Sequence, residues 1–415
     1  DWGTVKSSEN YERRFVMTFP NETLPKGRRQ KTTSLFDRQV ARGAVMGTSF
    51  GLEHALWFAN GPADAHEAPT FDRNRSHDYV AAEVKAVREA VGMIEIANSA
   101  KHSVKGPGAR AFLDRMLAGR LPKKGRVALS PMLTAAGKLY GDLTVACLDE
   151  EDFLLFGSGT AQEMHRRWFE RHLPETGVAY RNVTDELHGV AIAGPNARKL
   201  LQRIAREDVS AGALKFRDIR RTFVGGVPAI LVRLSFSGEL GYEIYCAPQF
   251  QMALWEHSEA AGADLGLKPY GARALMSLRL EKGWGVWTMD FRPDYTAAQS
   301  GLDAFVDWSK PFIGREAALV EKQQGPKARL VTMVVDSDRR DVVGDEAILR
   351  DGACIGHVTS GGYAHHSRCS VAMGYVPPDC AAEGTMLQVE INGEMLAARV
   401  AAAPLYDPQG TRMRG

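Results

Sequence analysis

Along this chain the spacing of apolar side chains changes character twice, which divides it into three stretches. Over residues 1–75 no period is sustained. Arg, Gly and Pro alternate with short apolar pieces, an extended one at Phe15–Pro20 and Trp57-Phe58, and a Gly/Pro/Ala/Asp loop follows at 60–69. That composition predicts a linker or wrapping segment, not a core of its own. From His77 a helical period sets in through Tyr79, Glu83, Ala86 and Val87 and runs to Ala90, with Gly92 expected to end it. A strand is predicted at Met93–Ile96. The stretch Ala109–Leu117 puts Phe112, Leu113, Met116 and Leu117 on one helix face. Strands follow near Leu139–Leu148 and Phe153–Gly157, then a helix over Gln162–Leu173. Val190–Ala193 reads as a buried strand leading into a helix at Pro195, and Phe223–Leu234 as a hairpin around Gly225-Gly226. Ser235–Tyr245 continues as turn and strand, and helices are predicted over 249–261 and 272–282.

After about Lys322 the helical period fades. Short alternating strands are predicted at Leu330–Val335, Ala353–Ser360, Ser370–Val376, Leu387–Ile391 and Ala397–Ala403, with Asn392-Gly393 as a tight hairpin turn. Mixed antiparallel strands and helices argue for an α+β core over 76–322, in two subdomains, and a small all-β domain over 323–415.

Composition narrows the function by exclusion. The chain has 415 residues with 44% apolar content and a formal charge of +2, so it is ordinary globular protein without a basic stripe for nucleic acid. No apolar run approaches the roughly 18–20 residues that cross a bilayer, and no signal-peptide pattern opens the chain. Asp1 in place of Met is the start expected of a processed chain or the tail of something longer. Five cysteines, none in a Cys-x-x-Cys pair, fit reduced thiols in the cytoplasm, or in the mitochondrial matrix of a eukaryote. His357, His365, His366, Cys354 and Cys369 match no zinc spacing, so no metal site is expected. Neither a Gly-x-Gly-x-x-Gly turn nor a Gly-Lys-Ser/Thr loop is present, so the chain itself should hold no dinucleotide.

Four strings carry candidate chemistry. Gly137-Lys-Leu-Tyr-Gly-Asp142-Leu-Thr144 places an acid at a strand start, where it either closes a turn or faces a cleft. Ser235-Phe-Ser-Gly-Glu239-Leu-Gly-Tyr-Glu243 sets two glutamates among apolar residues. A buried one needs a partner, and a guanidine-like ligand edge would serve. Leu278-Arg-Leu-Glu-Lys-Gly283 is a helix end with ion pairs. Lys310-Pro-Phe-Ile-Gly-Arg-Glu316 is a turn into a helix.

In this order, and with Ala193-Gly-Pro-Asn-Ala, Gly356-His-Val-Thr-Ser-Gly and Pro404-Leu-Tyr406, these strings resemble the glycine-cleavage T-protein (aminomethyltransferase) family over about Tyr79–Tyr406. Leu-Arg-Leu-Glu-Lys-Gly, Gly-Asp-Leu-Thr-Val and the lead-in Tyr11-Glu-Arg-Arg-Phe resemble most the folate-binding region of dimethylglycine and sarcosine dehydrogenases. The resemblance implies a tetrahydrofolate site in a central cavity and a C-terminal β-barrel. It puts the carboxylate beside folate N10 on Asp142, with Thr144 next to it, and the pterin-gripping glutamate on Glu243. Phe236 stands where an aromatic Tyr is usual, and keeps its stacking area without the hydroxyl. Leu129, Phe156 and Tyr406 complete the implied folate-binding set, while the family's arginine before the Leu-Arg-Leu-Glu stretch falls on Leu275, two residues after Arg273. The implied activity is capture of the one-carbon unit of an oxidised N-methyl amine, as iminium or formaldehyde, giving 5,10-methylenetetrahydrofolate. FAD would belong only to a missing N-terminal domain or a separate subunit. The rival readings are a demethylase giving 5-methyltetrahydrofolate and a non-catalytic folate-binding scaffold. The Lys-Gly-Cys-Tyr-x-Gly-Gln-Glu signature of the family's iron–sulfur assembly branch is absent at Lys310–Glu316.

Overall fold

The computed structural model describes residues 1–415. Two antiparallel layers and a closed barrel carry the strands. One sheet has five strands in the order Arg126–Leu133, Leu139–Asp149, Asp152–Gly157, Ala100–Lys105 and Ala179–Asn182. The other has six, in the order Ile219–Val224, Val227–Val232, Gly241–Cys246, His188–Ala193, Val91–Glu95 and Leu267–Pro269, the last pair being parallel.

Period-2 alternation explains how the two sheets stack. In the strand Leu139–Asp149, Leu143, Val145 and Cys147 point away from the other sheet. They form an apolar cluster with Phe112, Leu113 and Met116 of the helix Ala109–Met116 and Phe169 of the helix Gln162–His172. The alternate residue Ala146 joins Val127, Leu154 and Phe156 against Ile219, Ile230, Val232 and Tyr245 of the six-stranded sheet. The far face of that sheet, including Val190, Ile192, Leu231 and Ile244, is covered by Leu200 and Leu201 of the helix Ala197–Ile204 and by Leu254 and Trp255 of the helix Gln251–Gly262. The result is helix, sheet, sheet, helix, with the two inner faces meeting.

The barrel closes through Arg329–Val335, Cys369–Val376, Ala353–Ala364, Ala347–Arg350, Met386–Ile391 and Glu394–Val400 around its own apolar cluster. Its Asn392-Gly393 turn has φ of 51° and 84° and joins Ile391 to Glu394. This is the left-handed pair that a two-residue hairpin requires. The helix Ala272–Glu281 lies between core and barrel. At its end Arg279 pairs with Asp290 at 3.1 Å, and the other Asp290 oxygen accepts the hydroxyls of Thr359 and Ser360 at 2.5 and 2.6 Å.

The first 75 residues hold more regular structure than their composition predicts. A helix spans Trp2–Glu12, and a hairpin joins Ala44–Ser49 to Leu52–Phe58. The helix escapes the apolar period because Glu9 is its one buried residue. The hairpin escapes because its turn is Phe50-Gly51, at φ 51° and 78°, without the Asn or Asp that usually marks such a turn. Trp57 and Val45 pack onto Val80, Val84 and Val87 of the helix Ser76–Glu89. Phe15–Pro20 pairs with no strand.

Gly92 does not end that helix. The helix ends at Glu89 with Ala90 as its cap, and Gly92 is the second residue of the strand Val91–Glu95. A Cβ there would lie 2.4 Å from Val87 Cγ2 and 2.7 Å from Tyr270 Cδ1, so this glycine answers a close approach of helix and strand.

Candidate folate site

Strand register brings the first candidates onto one face. Thr144 lies opposite both Leu129 and Phe156, Asp142 opposite Pro131, and Phe156 opposite Lys101. Residues paired across an antiparallel ladder project to the same side, and so do residues two apart. Leu129, Asp142, Thr144, Phe156 and Lys101 therefore share the inner face of the five-stranded sheet. Across the gap, Glu243 and Tyr245 project from Gly241–Cys246 with their partners Val232 and Ile230. The Phe156 and Tyr245 rings stack at 4.6 Å, and the Tyr245 hydroxyl donates to Glu243 Oε2 at 2.8 Å. Five of the seven predicted residues thus meet between the two sheets: Asp142, Thr144, Leu129, Phe156 and Glu243.

The two carboxyls sit in poorly solvated surroundings. Asp142, Thr144, Leu129 and Glu243 all keep some accessible surface. Yet protein so surrounds the two carboxyls that desolvation pushes Asp142 up to about 7 and raises Glu243 as well. Asp142 accepts no side-chain hydrogen bond, its own backbone amide being the one group that stabilises its charge. Glu243 is stabilised first by the Tyr245 hydroxyl, then by the charges of Lys101 and Lys282.

Those two lysines and Tyr245 are the members that sequence reasoning missed. Lys101 is fully buried, donates to the carbonyl oxygens of Ile96 and Ala97 at 3.2 and 2.9 Å, and is drawn down to about 7 by burial. Nothing in its sequence neighbourhood announces this. Lys282 was legible as part of Leu-Arg-Leu-Glu-Lys-Gly, but the string does not say which of its charges are structural. The fold does: Arg279 is held by Asp290 and Glu281 by Arg88, while Lys282 donates to the Ser235 carbonyl oxygen at 2.7 Å and its charge favours ionised Glu243.

The remaining two candidates lie at the edge of this group. Phe236 sits, half-buried, in the loop 233–240 that leads into Glu243. Tyr406 reaches the same loop from the C-terminal side. Its hydroxyl donates to Glu239 Oε1 at 2.5 Å, and the Arg88 guanidinium lies 3.7 Å from its ring centroid. Arg88 also binds Glu239 and Glu281, at 3.1 and 2.7 Å. Tyr406 is thus engaged in holding the loop, with no contact to Glu243. Arg273 pairs with Glu67 and Ser76 at 2.9 Å each, and Leu275 packs against the helix Ser76–Glu89. No three His, Cys, Asp or Glu side chains are grouped to hold a metal ion, and no helix is long and apolar enough to cross a membrane.

Two family models match this architecture in sequence: the GCVT N-terminal domain over residues 35–310 and the glycine cleavage T-protein C-terminal barrel domain over 329–407. The chain belongs to the glycine cleavage T-protein family. Within this folate-dependent aminomethyltransferase family its relatives differ in length. Dimethylglycine dehydrogenase of Rattus norvegicus is 33% identical over 415 residues, 99% of this chain and 48% of that protein. The formaldehyde-forming 4-methylaminobutanoate oxidase of Paenarthrobacter nicotinovorans is 31% identical over 99% of the chain and 50% of its own length. The chain therefore spans about half the length of these T-protein relatives. An aminomethyltransferase of Desulfitobacterium hafniense is 29% identical over 79% of this chain and 90% of its own. In structure, the aminomethyltransferase T of the Bartonella henselae glycine cleavage system superposes with a TM-score of 0.78 at 25% identity, over 92% of this chain and 99% of that one. Both the α+β core and the closed barrel expected of a T-protein are present.

Proposed function

We propose that this chain binds tetrahydrofolate between its two sheets and captures the one-carbon unit released by oxidative N-demethylation of a dimethylglycine- or sarcosine-like amine, giving 5,10-methylenetetrahydrofolate. The observation that supports the reading is the placing of Asp142 and Glu243 on the facing inner faces of the two sheets, linked through Thr144, Phe156 and Tyr245. Glu243 keeps Oε1 without a protein donor, as a carboxylate must to take two N–H groups from an aminopyrimidine edge. Asp142, neutral or charged with nearly equal ease near neutrality, suits the other end. It accepts the proton that N10 sheds when carbon bonds to it, and its anion stabilises an approaching iminium cation.

In solution such an iminium loses formaldehyde to water. The apolar walls, Leu129 and Phe156 among them, keep water from competing with the folate nitrogens. Dehydrogenase and oxidase relatives that match essentially the whole of this chain and are twice its length favour an amine-oxidising, flavin-bearing half as the source of the carbon. In this reading the flavin is carried elsewhere, on another domain or subunit, and none of its chemistry is done by these residues. The test is anaerobic calorimetry with tetrahydrofolate, followed by product analysis with formaldehyde. Binding and enzyme-accelerated methylenetetrahydrofolate formation are expected. Formation of 5-methyltetrahydrofolate from a methyl donor in its place would favour direct methyl transfer.

A further inference from the structure

The loop 233–240 leads from the strand Val227–Val232 to the strand that carries Glu243. It has no regular structure, yet most of its residues are buried. Arg233, at its head, has no exposed surface. Its three hydrogen bonds go to main-chain oxygens. Nη1 donates to Gly241 at 3.1 Å, and Nη2 donates to Met413 and Gly415 at 3.0 and 2.8 Å. The rings of Tyr242 and Phe216 lie 5.1 and 5.8 Å from the guanidinium carbon, and Nε has no acceptor. A buried cation depends on the acceptors it has. Two of the three belong to the C-terminal segment, far away in the chain.

That segment is fastened at several points. The Asp407 carboxylate accepts the amides of Thr411, Arg412 and Met413 at 2.9, 2.8 and 3.3 Å, which folds the chain back on itself. Arg198 donates to the Gly415 oxygen at 2.7 Å and to the Tyr242 hydroxyl at 3.1 Å. Just before it, the Tyr406 amide donates to the Glu281 carbonyl oxygen at 3.1 Å, and the Tyr406 hydroxyl donates to Glu239. The loop is therefore held at both ends by one stretch of chain, Arg233 by Met413 and Gly415, and Glu239 by Tyr406. Glu243 stands directly downstream. Its ladder partner is Val232, the neighbour of Arg233, and Gly241, which Arg233 grips, lies two residues before it. We propose that residues 407–415 act as a strap that, through Arg233, fixes the strand start from which Glu243 projects, which makes Arg233 a positioning residue for folate binding. This inference rests on the folate reading above and adds what aims its glutamate. Coupling of this kind is reciprocal: a strap that favours folate is itself held down by folate.

The test uses the full chain, a chain shortened to residues 1–406, and the variants Arg233→Met, Arg233→Lys and Asp407→Ala. Each is checked for folding by its denaturation curve, then titrated with tetrahydrofolate by anaerobic calorimetry under conditions where it is folded. Shortening and Arg233→Met should each weaken binding by about tenfold, within the usual range of coupling between two sites. Arg233→Lys should recover part of that loss, and Asp407→Ala should lose less. In the unsubstituted chain, saturating tetrahydrofolate should slow hydrogen exchange of the 411–415 amides, by about the factor that shortening costs in affinity. That exchange measurement needs no variant, so it decides the matter even if the shortened chain fails to fold. Unchanged affinity in folded variants that are merely less stable, or exchange in 411–415 that tetrahydrofolate leaves untouched, overturns the positioning role while the folate reading stands. Failure of the unsubstituted chain to bind tetrahydrofolate overturns both.

Discussion

Glu239 and Glu243 stand four residues apart on one loop and strand, and the fold places them in opposite situations. Glu239 is 1% exposed, bound by Arg88 and Tyr406 and close to the Arg88–Glu281 pair. Glu243 has one protein donor, Tyr245, and keeps some accessible surface. A buried charge with its partners in place holds structure together. A half-served carboxylate is the one that the folate reading proposed above assigns to a ligand.

The comparison breaks most visibly by removing the shared cation. Arg88→Ala strands two buried carboxylates and should cost about 3–5 kcal/mol of stability, read as a fall in the denaturation midpoint. Glu243→Ala should do the reverse. Stability stays level or rises, because a desolvated carboxyl is removed, while folate affinity drops by tenfold or more, about 1.4 kcal/mol. If calorimetry gave Glu243→Ala the dissociation constant of the parent, the division between the two glutamates would collapse.

Asp142→Asn sharpens the picture at the other end of the site: folate binding should persist while methylenetetrahydrofolate formation falls by about 100-fold or more, the usual contribution of a placed proton acceptor. The same variant has a pH signature in stability. The folded state holds Asp142 at about 7, above its unfolded value of 3.8, so folding is favoured by the bound proton below pH 4, and that contribution is lost as pH rises through 7. Asparagine carries no such loss. Its unfolding free energy relative to the parent should climb between pH 5 and pH 8, by an amount on the order of 1–4 kcal/mol. A constant difference across that range would place the carboxyl in open water. The smallest effect is expected from Tyr406→Phe, which removes one hydrogen bond to Glu239 and should cost about 1–2 kcal/mol with folate affinity little changed.

Much of this was legible in the order of residues, for reasons that are themselves physical. Alternation along Leu139–Leu148 predicted the strand that carries Asp142 and Thr144, and Asn392-Gly393 predicted a turn that only positive φ can make. The resemblance to T-proteins named Asp142 and Glu243 together, which no local pattern could, since their strands lie in different sheets. Illegible were the elements whose signals are not apolar. The Trp2–Glu12 helix buries a glutamate, the Phe50-Gly51 turn lacks its usual residue, and the edge strand Ala179–Asn182 has no buried position. Lys101 was invisible because a lysine between Ala100 and His102 reads as surface until the sheet closes over it. Nor does a string such as Ser-Gly-Glu-Leu-Gly-Tyr-Glu reveal which of its glutamates an arginine 151 positions away will claim.

The carboxylate of Asp290 has a mechanical consequence. One oxygen grips Arg279, at the end of a core helix, and the other grips Thr359 and Ser360 on the barrel wall, with no water between them. Swinging the barrel away would strip Asp290 either of its arginine or of both barrel hydroxyls and leave a buried charge short of partners. Barrel and core are therefore riveted at this one carboxylate.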